Sequence, residues 1–364
     1  MACEVAILGG GVIGSAIAYE LASVGLSVVL FDDPCTVGQA TRAATGLLVA
    51  GRSRTRASLQ TRAIEMSLRL WTRWAKALER EASVQIGYRA GSVLRLPESP
   101  KEAENLRAAV DRASESGDTA AWLPPGAVAE MEPLVEPVAR MGAAQFKSEG
   151  TVLADRLVCA LRVASSRKGT VVLSEAVREV VRRGLAWEVR SAATTLSAKE
   201  IIIAAGIYSM DLAQRAGVCL PLYPVRGVGM CARVDRAPKF AVALRSLQVV
   251  PRSAVEVNIG ASAERGEGNA VIVSAVLSEL RKRSVSRLPW LGQSIVQTVS
   301  CGIRPASLLG RPIVSRVPGA PGLSVAVGHY RSGLALAPLT ASVVREIVLG
   351  KPRSDVADFF AWPP

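Results

Sequence analysis

Six residues constrain this chain more than any others. Gly9-Gly-Gly11-Val-Ile-Gly14 stands between an apolar run of strand type, residues 4–9, and a stretch, 12–24, whose apolar residues return at helical spacing. A strand that gives way to a helix across GxGxxG builds a phosphate cradle. Gly9 permits the tight turn, Gly11 lets backbone approach a pyrophosphate, and Gly14 lets the helix lie close on the strand. Val12 and Ile13 open a helix whose N-terminal amides face the phosphates with partial positive charge. A second strand, residues 27–31, ends at Asp32, with Asp33 beside it. That is about 20 residues beyond the glycines, where a carboxylate accepts ribose hydroxyls. The acid argues against a 2′-phosphate and hence NADP, and leaves NAD and FAD open.

The next segment bears on that choice. Residues 39–48, Gln-Ala-Thr-Arg-Ala-Ala-Thr-Gly-Leu-Leu, form a small-residue stretch ahead of a long helix, and small side chains let main chain pass close to a flat cofactor. The stretch resembles the flavin-lining loop of the D-amino-acid oxidase and glycine oxidase superfamily. Further segments resemble successive motifs of that family: Ile201-Ile-Ile-Ala-Ala-Gly206-Ile-Tyr-Ser209, Pro224-Val-Arg-Gly227, Val250-Pro-Arg252, Gly302-Ile-Arg304-Pro305, and Gly328-His-Tyr-Arg331-Ser-Gly333-Leu-Ala-Leu-Ala-Pro338. The last two point to the glycine oxidase branch.

The resemblance implies an α/β fold in which a Rossmann-like FAD-binding domain is interleaved with an α+β substrate domain built on an antiparallel sheet. Residues 1–85, 141–218 and 295–364 would form the first, and 86–140 and 219–294 the second. It implies noncovalent FAD held by the glycines, Val12, Ile13, Asp32 and Asp33, and by Thr41, Arg42, Ala43, Ala44, Gly46, Leu47 and Leu48 of the loop. Val177 would reach the adenine, and Ala205 and Gly206 would pass near the cofactor. Arg304, Arg331 and Ser332 would adjoin it, and the amides of Gly333, Leu334 and Ala335 would face the isoalloxazine C2 carbonyl. A helix dipole there stabilises negative charge developing on the reduced ring.

For substrate, Arg304 is the expected carboxylate clamp, because a planar guanidinium binds carboxylate in bidentate fashion. Arg331 is expected beside it in binding or catalysis. His329, the only histidine, is weighed as a base and set aside, since hydride transfer from a neutral amine needs none. The chain departs from the family where a Tyr before the VPR strand becomes Gln248, where Ala263 follows Gly260-Ala-Ser, and where Ser307-Leu-Leu-Gly310 replaces a PDG-containing segment. With Arg52 near the mouth, these changes suit a substrate longer than glycine that carries a second anion. The expected activity is oxidation of glycine or an N-substituted glycine to an imine, then glyoxylate, free amine and hydrogen peroxide, with molecular oxygen as acceptor. The rivals are a dehydrogenase feeding a quinone or carrier, and an inactive dinucleotide-binding protein.

Composition sets the outer bounds. At 364 residues and 49% hydrophobic, the chain can bury a core of two domains or one large α/β unit. No uncharged apolar run reaches the roughly 18–20 residues of a membrane span, and Glu4 stands where a signal peptide needs basic residues. Six scattered cysteines without a CxxC, and one histidine, offer no metal cluster and fit reduced thiols in a cytoplasmic protein. The net charge of +13 rests on 36 arginines against 8 lysines. It raises a nucleic-acid surface as a third rival, but no dense basic tail or basic-aromatic strip supports one. No nucleic-acid or membrane partner is expected; a homo-oligomer is compatible with everything above.

Overall fold

The computed structural model describes residues 1–36, 39–50, 59–115, 117–351 and 355–362. Its first layer grows from the short apolar runs seen in the sequence. Ala2–Leu8 and Val28–Phe31 pair in parallel, with Val171–Leu173 beyond the second and Thr195–Ile203 beside the first. Leu323–Val327 adds a further parallel strand on Thr195–Ile203, and Ile313–Arg316 runs antiparallel on its outer edge. Runs such as Val-Val-Leu-Phe are buried on both faces, Val28 and Leu30 in the cluster shared with the helices and Val29 and Phe31 in a second one with Val180 and Trp187. Val12–Ala22 packs against Ala154–Arg167 and Gly333–Val348, and Leu59–Ala82 packs against the latter. Leu59–Ala82 buries Ile64, Leu68, Trp71, Trp74 and Leu78 along one stripe, and its Trp71 Nε1 donates to the Ala335 carbonyl at 3.1 Å. No described helix is long and apolar enough to cross a membrane.

The second layer is the expected antiparallel sheet. Its order is Ile295–Ser307, Leu222–Arg233, then Glu256–Gly260 and Glu264–Arg265 on the same edge, Gln248–Ser253, Ala241–Ala243, Val93–Arg95, Ala143–Phe146 and Ala120–Leu123. Among its described strands, only Ala241–Ala243 and Val93–Arg95 pair in parallel.

Two expected boundaries move. Ala143–Phe146 lies inside this second sheet, so the division expected at 141 falls too early. Ile295–Ser307, assigned to the dinucleotide layer by its motif, pairs along its length with Leu222–Arg233. Its motif residues misled because they also touch the first layer: Ile303 bridges to Gln39 and Ala306 to His329. Glu179–Arg183 and Ala186–Arg190 form a hairpin turned at Gly184, whose φ of +62° suits glycine.

Candidate active site

A cleft runs between the layers at the carboxyl ends of the parallel strands, where open α/β sheets place their ligands. It has a narrow arm of about 170 Å³ and a wide arm of about 660 Å³. Val12, Ala40, Thr41, Tyr330 and Gly333 line both, so the arms adjoin.

The glycines shape the narrow arm in different ways. Gly9 has φ +115°, and a Cβ there would stand 2.5 Å from the Ala205 Cα. At Gly14 a Cβ would meet the Gly9 carbonyl oxygen at 1.8 Å, so this glycine sits behind the arm and closes helix on strand. A Cβ on Gly11 would meet only Thr41 Oγ1, at 3.3 Å, which leaves its backbone open to the cleft. The Val12 amide donates to that hydroxyl at 3.2 Å, and Ile13 lines the arm with it. Asp32 Oδ1 accepts the Gly10 amide at 3.2 Å, while Arg162 Nη2 pairs with Oδ2 and also donates to the Gly10 carbonyl. Asp33, Val177, Ala205 and Gly206 line the same arm.

In the wide arm, Ala43, Ala44, Gly46 and Leu47 form the small-residue wall, and Ser332, Gly333, Leu334 and Ala335 also line it. Arg42 is exposed and off the lining, and Leu48 is fully buried in the core beneath it. Gln248 lines the arm, its Oε1 accepting the Thr45 hydroxyl at 3.0 Å. Ala263 is exposed and outside the lining. Arg52 lies outside the described residues.

Arg304 and Arg331 both line the wide arm. The Arg304 guanidinium lies over Gly227, where a Cβ would come within 2.3 Å of its nitrogens, and Nη1 donates to the Ser262 carbonyl at 3.0 Å. Burial, then the charge of Arg331, pushes this guanidinium below its ordinary value. It remains charged at neutral pH, with donors to spare and a cation nearby, and an incoming anion relieves both conditions. Arg226, one residue beyond its cross-strand neighbour Val225, is instead spent on Glu264 at 2.6 Å. Arg331 lies 5.1 Å over the Tyr330 ring, and Tyr330 holds φ +51° with its amide on the Pro305 carbonyl at 2.9 Å. His329 is buried, its Nε2 3.0 Å from Thr340 Oγ1, and burial pushes its imidazole down to about 3. It is neutral at physiological pH.

The fit to a flavin dinucleotide can be tested on these features. Neither Val12–Ala22 nor Gly333–Val348 is capped by the side chain of the residue before it, although Thr41 Oγ1 takes the Val12 amide, and both begin on the cleft. Their first-turn amides therefore offer donors at two points along it, suited to pyrophosphate and to a ring carbonyl. Several contributors escaped the sequence reading. Arg162 acts on Asp32 from 130 residues away, Thr45 reaches Gln248 across 203, and Tyr223, Arg245 and Arg265 join the wide arm. No local pattern marks such pairs, which depend on strand registry and helix packing.

Residues 4–347 match the profile of a family described as DAO, FAD dependent oxidoreductase. The chain is 30% identical over 366 residues to a glycine oxidase of Geobacillus kaustophilus, covering 98% of this chain and 96% of the relative. It superposes on the crystal structure of glycine oxidase from Geobacillus kaustophilus with a TM-score of 0.90, at 28% identity, covering 100% of this chain and 99% of the other. The fold is also that of iminodiacetate oxidase from Chelativorans sp. BNC1, with a TM-score of 0.87 at 21% identity and 98% of each chain covered.

Proposed function

The chain belongs to the DAO family of FAD-dependent oxidoreductases, and on that premise we propose that it oxidises the Cα–N bond of glycine or an N-substituted glycine, with oxygen as acceptor. The overall balance is amine, oxygen and water to glyoxylate, free amine and hydrogen peroxide. The observation that carries the reading is Arg304: a guanidinium with spare donors, crowded by a second cation, in the wide arm that ends at an uncapped helix. The name of the Geobacillus kaustophilus relative supports the reading.

FAD, when bound, would supply the hydride acceptor and the link to oxygen. The protein's share is binding and aim. Gly11, Val12 and Ile13 would present backbone to the pyrophosphate, and Asp32, steadied by Arg162, would hold the ribose. Arg304 fixes the substrate carboxylate by two parallel hydrogen bonds, which limits the α-carbon to one approach. Arg331 adds charge at the mouth. No side chain need take a proton when the amine arrives neutral, and neutral His329 serves packing. The amides of Gly333, Leu334 and Ala335 favour charge on the ring carbonyl. The cofactor is bound without a covalent link, and the enzyme works in the cytoplasm, in keeping with six free cysteines.

A peroxide-coupled screen of glycine, sarcosine and N-carboxymethyl amines on the FAD-loaded protein tests the reading. One peroxide per glyoxylate is expected. Turnover that requires an added quinone makes it a dehydrogenase, and no turnover of any amine removes the reading. Acid precipitation should leave the yellow colour in the supernatant.

A further inference from the structure

Sheet registry sets two arginines in one row. Val225 pairs with Arg304 on one side and with Arg265 on the other. Residues directly opposed in antiparallel strands present their side chains on the same face, so both arginines rise from the face that lines the wide arm. From there they part. Arg304 leans over Gly227. Arg265 leans the other way onto Tyr223, its guanidinium 5.5 Å from the ring centroid and Nη2 donating to the phenol oxygen at 3.0 Å. Tyr223 and Gly227 are four residues apart on one strand, which offsets the cations by about 14 Å along it at a rise of about 3.4 Å per residue.

Arg265 is exposed and finds no carboxylate partner among the described residues, since the adjacent Glu264 is spent on Arg226. Tyr223 fixes the guanidinium in place by ring and hydroxyl together, so ordering it on a ligand costs little further freedom. The ring is half-buried and offers an apolar surface between the two charges.

We propose that Arg265, seated on Tyr223, is a second anion subsite, and that the preferred substrate is a dicarboxylate: an N-carboxymethyl amine whose aliphatic substituent ends in an acid. The proposal rests on the reading that Arg304 takes the glycyl carboxylate. An extended chain advances about 1.25 Å per bond and each carboxyl carbon stops short of its guanidinium, so about eight to ten bonds between the two carboxyl carbons suit the distance between the cations. N-carboxymethyl derivatives of 6-aminohexanoate and 8-aminooctanoate have that length, and that of 4-aminobutanoate is too short.

The test uses FAD-loaded protein and thioether analogues, which cannot be oxidised at a Cα–N bond, titrated by the change in flavin absorbance. The pair 6-(carboxymethylthio)hexanoate and S-hexylthioglycolate differs in the distal acid. The diacid is expected to bind roughly tenfold tighter, and the ratio to fall near one in Arg265→Gln and partway in Tyr223→Phe. In Arg245→Gln, which alters another arginine of the arm, the ratio should persist. A ratio near one in the wild type, its survival in Arg265→Gln, or its loss in Arg245→Gln instead would overturn the proposal. If Arg265→Gln fails to hold FAD, the wild-type length series decides, since affinity that is indifferent to chain length overturns the subsite. Failure of the amine-oxidation reading has a different signature: the ratio persists while no amine, short or long, yields peroxide.

Discussion

Arg331 bears on Arg304 through space, and both guanidinium groups await a negative partner in the same arm. A lysine at 304 would keep the charge but lose the fork. Arg304→Lys is therefore expected to lower kcat/KM by roughly 10- to 150-fold, equivalent to about 1.5–3 kcal/mol for a charge-assisted contact, with the flavin spectrum retained. Wild-type kinetics in that variant would remove Arg304 as the clamp.

His329 gives a second prediction at this scale. Its imidazole is held near 3 by burial, against about 6.5 in the unfolded chain. Below pH 6.5 the unfolded state takes up a proton that the native state refuses, so stability is full above 6.5 and declines as pH falls toward 3. At pH 5 the loss is about 2 kcal/mol. Urea unfolding at pH 7 and pH 5 should show it in the wild type and not in His329→Gln.

Elements decide what single residues cannot. The Ile295–Ser307 strand carries Arg304 and presses its backbone on the cofactor loop: a Cβ on Gly302 would lie 2.6 Å from Ala43 Cβ and 3.3 Å from Ala40 Cα. Gly302→Val should push that loop away and weaken FAD retention before it harms the fold, which flavin fluorescence during a thermal ramp would separate from unfolding. FAD release coincident with unfolding, as in the wild type, would show that the contact has no such role. Elements also mark how far the sequence could be read. The glycine turn, Asp32, the small-residue loop and the start of the Gly333–Val348 helix were legible because each is local: a periodicity, a breaker, a short spacing. The place of Ile295–Ser307 was not, because its motif looks toward one layer while its hydrogen bonds belong to the other. Arg265 had no signal at all. An arginine among 36 gains meaning only from the strand beside it.

Across the whole molecule, that strand is the seam. Ile303 bridges to Gln39 of the cofactor loop, Ala306 bridges to His329, and the Pro305 carbonyl holds the Tyr330 amide, so one extended segment joins both layers within a few residues of Arg304. Two ligands that settle on either side of such a seam share the work of ordering it, and thermodynamic linkage makes the benefit mutual. Whatever factor a carboxylate ligand contributes to the hold on FAD, FAD returns to the carboxylate. With a coupling of roughly 1 kcal/mol, the dissociation constant of FAD should fall about fivefold in the presence of saturating S-hexylthioglycolate, and Arg304→Lys should shrink that factor. Equal FAD affinity with and without the thioether would mean that the seam transmits nothing. If it does transmit, the substrate also acts as a fastener for the flavin, and an idle enzyme sheds its colour faster than a working one.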